Sequence, residues 1–159
     1  ASLDARRYLR TSLQTAFAVR TFAFLSGGER PERVAIGGSL ALRGYPRFSY
    51  VSGHNALMLN AEWRFPVTDY LSLGFPFGEW RFPGVQGALF ADLGRAWSRR
   101  TDVGGWLGSY GVGWRMSLGF PFVLRLDLGW RYGALDSGYQ LPANYRKHRF
   151  ADFWFGFNY

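Results

Sequence analysis

The side chains with the greatest capacity for chemistry in this sequence are arginines and carboxylates that recur at alternate positions. The chain has 159 residues, 19 lysines and arginines, 11 aspartates and glutamates, and a net charge of +8. A guanidinium group presents a planar set of donors that suits a carboxylate, and in a partly dehydrated interior it needs such a partner. We therefore expect an internal lining in which neighbouring strands are joined by a ladder of ion pairs and hydrogen bonds, formed by Arg20, Glu62, Arg64, Arg115, Arg125, Asp127, Arg131 and Asp152.

Catalysis and metal binding find little support in the residue types. Cysteine is absent, and the two histidines, His54 and His148, have no convincing serine and acid partners. Two histidines far apart in the sequence also make a poor metal site. We predict that the chain is not an enzyme and that it carries no metal or cofactor.

The positive charge alone is compatible with nucleic-acid binding. The basic residues, however, are interleaved with apolar ones and spread over all the predicted strands instead of forming one stripe. We therefore predict no nucleic-acid partner. Basic residues in the longer loops are instead placed to meet the anionic groups of lipopolysaccharide, and an ordinary solvated role explains them equally well.

Alternation with a period of two dominates the hydrophobic pattern and predicts β-strands. In the segment 122–132, one face is wholly apolar and the other carries Arg125, Asp127 and Arg131. A helix would scatter these charges around its axis, whereas a strand separates them from the apolar residues. Similar alternation occurs in 55–65, 109–118 and 149–159, and less cleanly in 13–25 and 85–97.

The predicted strands favour a transmembrane β-barrel over a soluble sandwich. Several of them are about 11–13 residues long, near the length that crosses a bilayer at a tilt and longer than most soluble strands. Bulky aromatic residues lie near the strand ends, as the interfacial girdles of outer-membrane barrels require. No apolar run approaches the roughly 18 residues of a membrane helix. The prediction is an all-β, antiparallel transmembrane β-barrel in a bacterial outer membrane, with a soluble barrel or sandwich as the alternative.

The number of strands leaves the closure of this barrel open. Six clear strands and a short one at 3–10 make seven, and an odd number of antiparallel strands does not close into an ordinary barrel. Either an eighth strand lies in 26–54 or 67–84, or the single domain 1–159 is the C-terminal half of a barrel of about 16 strands. If the C-terminus is periplasmic, the longer connections 26–54, 98–106 and 133–148 are expected to be extracellular and the turns at 9–12 and 119–121 periplasmic. The segment 67–84 does not fit this scheme, and a small additional hairpin or an amphipathic element would account for it.

The segment 36–46 contains the most distinctive motif of the sequence. It combines a glycine pair with a later hydrophobic-Arg-Gly-aromatic tetrad, and it consists of Gly37, Gly38, Leu42, Arg43, Gly44 and Tyr45. This pattern resembles the loop signature of the bacterial surface antigen superfamily, which includes the BamA- and TamA-type outer-membrane assembly and translocation barrels. The resemblance implies that the loop 26–54 folds back into the barrel lumen.

A second motif supports the same resemblance. In this family the arginine of the loop meets a Phe-x-Asp motif on an inward strand face, and Phe90 and Asp92 fit that motif here. The two motifs occur in the order of the family. We therefore expect Arg43 to pair with Asp92, with an ordinary solvated loop arginine as the alternative.

The C-terminus also resembles that of outer-membrane barrels. It ends on a terminal aromatic residue with alternating aromatics and a glycine three places earlier, the pattern of a targeting signal, formed here by Phe155, Gly156, Phe157 and Tyr159.

The resemblance implies a role in inserting proteins into the outer membrane or in moving polypeptides or lipids across it. The implied partners are outer-membrane lipid and lipopolysaccharide, client barrel proteins, periplasmic POTRA-type domains, and upstream strands or a second chain that completes the barrel. Two alternatives stay open. One is a barrel that only anchors a larger protein, and the other is a small self-contained barrel that acts as an anion pore or a lipid-modifying enzyme.

Overall fold

A computed structural model describes residues 1–98, 105–119, 122–133 and 138–157 of the chain. These residues form an all-β structure built on one antiparallel sheet of seven strands. Each long strand pairs with the long strand that follows it in the sequence, so the sheet is a simple meander. The strands are β1 (Ser2–Arg10), β2 (Ala16–Leu25), β3 (Val34–Ala35), β4 (Ser52–Gly53), β5 (Asn55–Phe75), β6 (Gly78–Trp97), β7 (Leu107–Gly119), β8 (Phe122–Tyr132) and β9 (Arg149–Phe157).

The sheet order is β1-β2-β5-β6-β7-β8-β9, which leaves β1 and β9 at the two edges. The two-residue strands β3 and β4 pair only with each other, inside the long connection between β2 and β5. The predicted eighth long strand is therefore absent from 26–54, and 67–84 contains no additional strand either. Two short 3-10 helices, Phe48–Val51 and Ala143–Tyr145, complete the described secondary structure. No helix among the described residues is long and apolar enough to cross a membrane.

The segment 67–84, expected to be a connection, instead continues two strands. Strands β5 and β6 remain paired from Asn55 and Trp97 to the turn at Phe75 and Gly78, with one irregularity between Pro66 and Thr68. Pairing of β5 with β2 ends at Arg64, and pairing of β6 with β7 ends at Val85. The hairpin therefore projects beyond the neighbouring strands by 11 residues of β5 (65–75) and seven residues of β6 (78–84), or roughly 20–35 Å. The sequence missed this extension because its prolines and weaker alternation are typical of a loop.

The register gives the sheet two faces of opposite character. We call the face that carries the charged residues, and against which the loop 26–54 packs, the loop-side face, and the opposite face the outer face. One row of the loop-side face is Asn60, Asp92, Ser109 and Arg131, each paired with the next across the sheet. All eight charges expected to line an interior share this face. Exposed apolar and aromatic residues cover the outer face, including Leu59, Trp63, Leu89, Tyr110, Val112, Trp114, Leu126, Leu128, Trp130, Phe153 and Phe155.

The hydrophobic core lies between the loop 26–54 and the loop-side face, not within the sheet. Ile36, Leu42 and Val51 of the loop are fully buried against Met58 of β5 and Leu107 of β7. Leu141, from the segment after β8, joins the same cluster. Burying such side chains stabilises a structure by about 1.5–3 kcal/mol each. This core fixes the loop 26–54, hereafter the docked loop, over one half of the loop-side face.

Candidate functional site: a loop arginine in a network of charges

Arg43 is the central side chain of the site, and the docked loop carries it onto the sheet. Its Nε donates to Asp92 Oδ2 at 2.6 Å and its Nη2 donates to Asp92 Oδ1 at 2.7 Å. The third nitrogen, Nη1, donates to Glu62 Oε2 at 2.5 Å. All three residues are buried. The pair expected from the sequence is thus present as a two-pronged contact, and Glu62 adds a second carboxylate.

The spacing of the Phe-x-Asp motif has a simple physical reason. Residues two apart on a strand share a face, so Phe90 and Asp92 both point at the docked loop. The guanidinium of Arg43 lies 4.0 Å from the centroid of the Phe90 ring, close enough for a cation–π contact. One residue of the motif therefore supports the flat face of the guanidinium while the other binds its edge.

The protonation of Arg43 follows from these contacts. Burial by itself would lower the pKa of Arg43, but the nearby charges of Asp92 and Glu62 outweigh this effect and raise the pKa above its ordinary value. The guanidinium is therefore held in its charged form. Removing it would leave the buried Asp92 without an ion-pair partner and would take one partner from Glu62, at a cost of about 3–5 kcal/mol.

Glu62 accepts contacts from more arginines than Arg43 alone. Arg64 Nε donates to its Oε1 at 2.7 Å, and Arg115 Nη2 donates to its Oε2 at 2.9 Å. Arg125 approaches the same oxygen at 3.9 Å. The sequence placed Glu62 on the correct face but gave no sign of this central position, because the partners come from three different strands and the loop.

Asp127 connects the remaining two arginines of the network. It accepts from Arg115 Nη1 and from Arg125 Nε, both at 2.7 Å. The expected ladder between neighbouring strands is present here, since Arg115 lies on β7 and Asp127 on β8. Asp152, in contrast, forms no ion pair within the described part of the chain, and register places it opposite Asp127, another carboxylate.

Sheet side chains also hold the backbone of the docked loop through its carbonyl oxygens. Arg20 Nη1 donates to the carbonyl of Leu40, and Asn60 Nδ2 donates to that of Ala41, both at 2.9 Å. Arg131 Nε donates to the carbonyl of Gly44. Arg131 thus takes part in the lining through hydrogen bonds to backbone carbonyls, and it forms no ion pair among the described residues.

Tyr45, the last residue of the hydrophobic-Arg-Gly-aromatic tetrad, also attaches the docked loop to the sheet. Its hydroxyl donates to the carbonyls of Gly108 at 3.0 Å and Tyr132 at 2.7 Å, at the ends of β7 and β8. Burial raises the pKa of the Tyr45 phenol above its ordinary value, so the hydroxyl stays protonated and remains a donor. The aromatic position of the motif thus acts as a hydrogen-bonding anchor as well as a core residue.

Two glycines of the motif are required by close approaches. Gly44 has φ +78°, and a Cβ there would lie 2.7 Å from the ring of Phe150. A Cβ on Gly37 would fall 2.0 Å from the carbonyl oxygen of Pro46. Any other residue at Gly44 would be strained by its backbone conformation and would also meet Phe150. Gly38, with φ +112°, is the third constrained glycine, and Leu42 is buried in the core.

The C-terminal pattern contributes little to this site. Phe155 lies exposed on the outer face of β9, and Gly156 is paired with Val123 of β8. The structure describes the backbone of Phe157 but not its side chain, and Tyr159 lies outside the described residues. Their role as a targeting signal stays a prediction.

The loop-side face also contains a cavity of about 940 Å³ beside the docked loop, toward the turn that joins β1 to β2. Arginines from five strands and the loop line it. Among the described residues, no group of histidine, cysteine, aspartate and glutamate side chains is arranged to hold a metal ion. Comparisons with protein-family models, with curated proteins and with solved structures gave no match to this chain.

Proposed function

We propose that this chain is part of the wall of an outer-membrane β-barrel of the surface-antigen type, in which it takes part in inserting or translocating proteins or lipids. The observation that carries the proposal is the docking of Arg43 on Asp92 and Glu62, on the charged face of a sheet whose other face is exposed and apolar. The residues of both family motifs meet in that one contact.

The outer face supports the membrane location. Its large hydrophobic side chains are 37–66% exposed, and they extend across β5 to β9 without a covering layer in the described chain. A soluble sheet packs its apolar face inward and leaves its charged face in water. Here the charged face is the covered one. Lipid chains would satisfy the outer face, and anionic headgroups would suit the outward arginines Arg95 and Arg149.

The stagger of the strands also supports a barrel wall. One row of paired residues meets β1 at Arg7, three residues before the strand ends at Arg10. The same row reaches β8 at Trp130, eight residues after that strand begins at Phe122. The end of β1 and the start of β8 both lie at the edge of the sheet where the short turns are. The distance from this edge to the row of paired residues therefore increases across the sheet, as it does in a barrel whose strands are tilted.

The two open edges suggest how the barrel is completed. With seven antiparallel strands, β1 and β9 run parallel to each other, and neither has a second partner among the described residues. In hydrocarbon, each unpaired backbone group costs several kcal/mol. We propose that further strands, from the same protein or a second chain, pair with these edges. The docked loop would then brace the interior, and a client would pass through the lumen or a seam between strands.

A barrel that only anchors a larger protein is the second candidate. The projecting hairpin favours it, because Val67, Tyr70, Leu73, Phe75 and Phe77 are exposed there, beyond the rest of the sheet. Apolar side chains outside the membrane-length part of a wall are suited to contact another domain. No bond-making chemistry is needed in either candidate.

The membrane location is tested by the exposure of single labels. The chain has no cysteine, so Leu128→Cys on the outer face and Ser117→Cys on the loop-side face each introduce one site for a spin label. In reconstituted liposomes, we expect the label at 128 to collide with oxygen dissolved in lipid and the label at 117 with a water-soluble nickel reagent. Equal access of the nickel reagent to both labels would overturn the membrane location.

The insertion activity is tested separately in the same liposomes. We expect the wild-type chain to accelerate the folding of a urea-denatured barrel protein into the bilayer, compared with empty liposomes. Arg43→Ala should lose this effect, while the exposed variant Arg81→Ala should retain it. If the labels show insertion but the wild-type chain accelerates nothing, this chain has no insertion activity of its own and the anchor becomes the favoured function.

A further inference from the structure

The arginine cavity is the 940 Å³ space on the loop-side face that is lined by Arg6, Arg10, Arg20, Arg64, Arg115 and Arg125. The docked loop forms one side of it, and the β1–β2 turn lies at the opposite end. Arg43, Arg64, Arg115 and Arg125 share only Glu62, Asp92 and Asp127, whereas Arg6 and Arg20 share Asp4. Asp69 also lines the cavity and forms no ion pair within the described chain. The seven arginines that line the cavity therefore still outnumber the five carboxylates that line it or pair with them.

Two of these arginines have donors left over. The side chain of Arg10 forms no ion pair or hydrogen bond with any residue that the structure describes. Arg64 uses only Nε, toward Glu62, so both of its terminal nitrogens lack a partner within the described chain. Its side chain is 43% exposed, and both residues line the cavity. These donors are available to a solute.

The register places the same two arginines on opposite sides of a hollow. Arg10 pairs with Ala16 of β2, and Ala16 pairs with Arg64 of β5, so the three residues form one row. The outer two are separated by two strand spacings, or about 10 Å between Cα atoms. Ala18, the next residue on this face of β2, is also small and lines the cavity. The long side chains of Arg10 and Arg64 therefore lie on either side of a hollow whose base is formed by the methyl groups of Ala16 and Ala18.

We propose that this row is a binding site for a phosphomonoester group, held between Arg10 and Arg64 above Ala16. A carboxylate carries one negative charge and balances only one of the two guanidinium groups. A phosphomonoester has three terminal oxygens and carries about −1.5 to −2 charges, so it accepts two-pronged contacts from both sides. Ser12 and Thr15 lie at the edge of the cavity, and their hydroxyls hydrogen-bond to each other and to the hydroxyl of Thr11, which leaves one O–H of the three to donate to the phosphate. The inference requires the cavity alone and does not depend on the proposed insertion activity.

The site is tested by calorimetric titration of the refolded full chain in zwitterionic detergent with glycerol 3-phosphate. We expect Arg10→Gln and Arg64→Gln each to weaken binding about tenfold or more, because each removes a charge-assisted pair of hydrogen bonds. Arg7→Gln is the matched control, since it removes the same charge from the opposite face of the same strand, and it should change binding less than about twofold. Ala16→Met fills the hollow without altering charge and should abolish binding.

Two further probes identify the source of the phosphate. If phosphatidic acid in mixed micelles binds at least about tenfold more tightly than glycerol 3-phosphate, the site takes a lipid headgroup. Equal affinities identify a site for soluble phosphomonoesters. The proposal is wrong if neither probe binds, if Arg7→Gln weakens binding as much as Arg10→Gln, or if a glutamate-rich peptide binds as tightly as the phosphate probes. Circular dichroism of each variant verifies that the sheet is retained.

Discussion

The two halves of the loop-side face use the same residue types in opposite ways. In the half under the docked loop, Arg43 has both its carboxylates and its ring contact, and it is almost completely removed from solvent. In the half toward the β1–β2 turn, Arg10 and Arg64 retain free donors beside a cavity. The covered half therefore fixes the docked loop to the sheet, whereas the open half is available to a ligand.

The difference shows that burial and partner number, not residue type, decide what an arginine does. A guanidinium that is dehydrated without a carboxylate would be strongly unfavourable, so the covered half contains a matched set. A half-exposed guanidinium is still solvated and tolerates an incomplete set of partners. Substitutions in the covered half should therefore reduce the stability of the loop, and those in the open half should not.

The largest effect is expected for Arg43→Ala. It leaves Asp92 and Glu62 buried without their shared partner, and we expect the docked loop to lose about 3–5 kcal/mol. Native-state hydrogen exchange at the amides of Ile36 and Leu42, which bond to Val51 and Ile36, measures this loss. Arg47→Ala, on an exposed loop residue, is the control and should change exchange by less than about 0.5 kcal/mol.

A charge reversal sharpens the same point. In the double variant Arg43→Asp with Asp92→Arg, the new aspartate would lie beside Glu62 while the new arginine faces it from the sheet. Because Glu62 would repel the new aspartate, we expect the double variant to recover only part of the docked-loop stability that each single variant loses. Full recovery would mean that the contact between Arg43 and Glu62 contributes nothing to docking.

Gly44→Ala should have the next largest effect. The substitution forces a residue with a side chain into a left-handed conformation and moves it against Phe150, at a cost of about 1–3 kcal/mol. Gly74→Ala is the matched control, because a Cβ there meets nothing within 4 Å. Chemical denaturation in detergent compares the two variants, and equal midpoints would contradict the assigned strain.

Tyr45→Phe should cost less, because it retains the buried ring and removes only the hydroxyl. We expect a loss of about 1–2 kcal/mol from the missing hydrogen bonds to the carbonyls of Gly108 and Tyr132. The exposed Tyr70→Phe controls for the loss of a phenol. The measurement is again hydrogen exchange in the docked loop, and a value indistinguishable from Tyr70→Phe would exclude the anchoring role.

The smallest effect on stability is expected for Arg64→Ala, in the open half. Its ion pair with Glu62 is half-exposed, and Glu62 keeps Arg43 and Arg115, so we expect about 0–1 kcal/mol. The same denaturation measurement applies. A loss near that of Arg43→Ala would show that the two halves form one cooperative network and would remove the distinction between them.

Much of the fold was predictable because alternation is a local property of the sequence. Each long strand was expected near its observed position, and all eight lining charges lie on one face of the sheet, as their spacing required. The ends of β5 and β6 were not predictable in the same way. Their extension past Pro66 and Val85 depends on pairing between the two strands, and the residues of that hairpin alternate less clearly.

A contact of the site was predictable from the sequence only where both of its residues belong to recognisable motifs. Arg43 and Asp92 were expected to meet, and they do. The roles of Asn60, Arg131 and Tyr139 were missed, although Tyr139 accepts from the amide of Ala96 at 2.9 Å and donates to its carbonyl. These three residues bind backbone atoms, whose positions no side-chain pattern in the sequence encodes.

The sequence by itself determined which residues share a face, because side chains alternate along any extended strand. It also determined where the docked loop must turn, since Gly44 adopts a conformation that other residues avoid. Only the tertiary structure decided that Glu62 serves several arginines at once and that Arg10 and Arg64 flank a hollow at Ala16. These relations depend on the register between strands that are distant in sequence, and that register is set by the pairing of the whole sheet and by the loop packed on it.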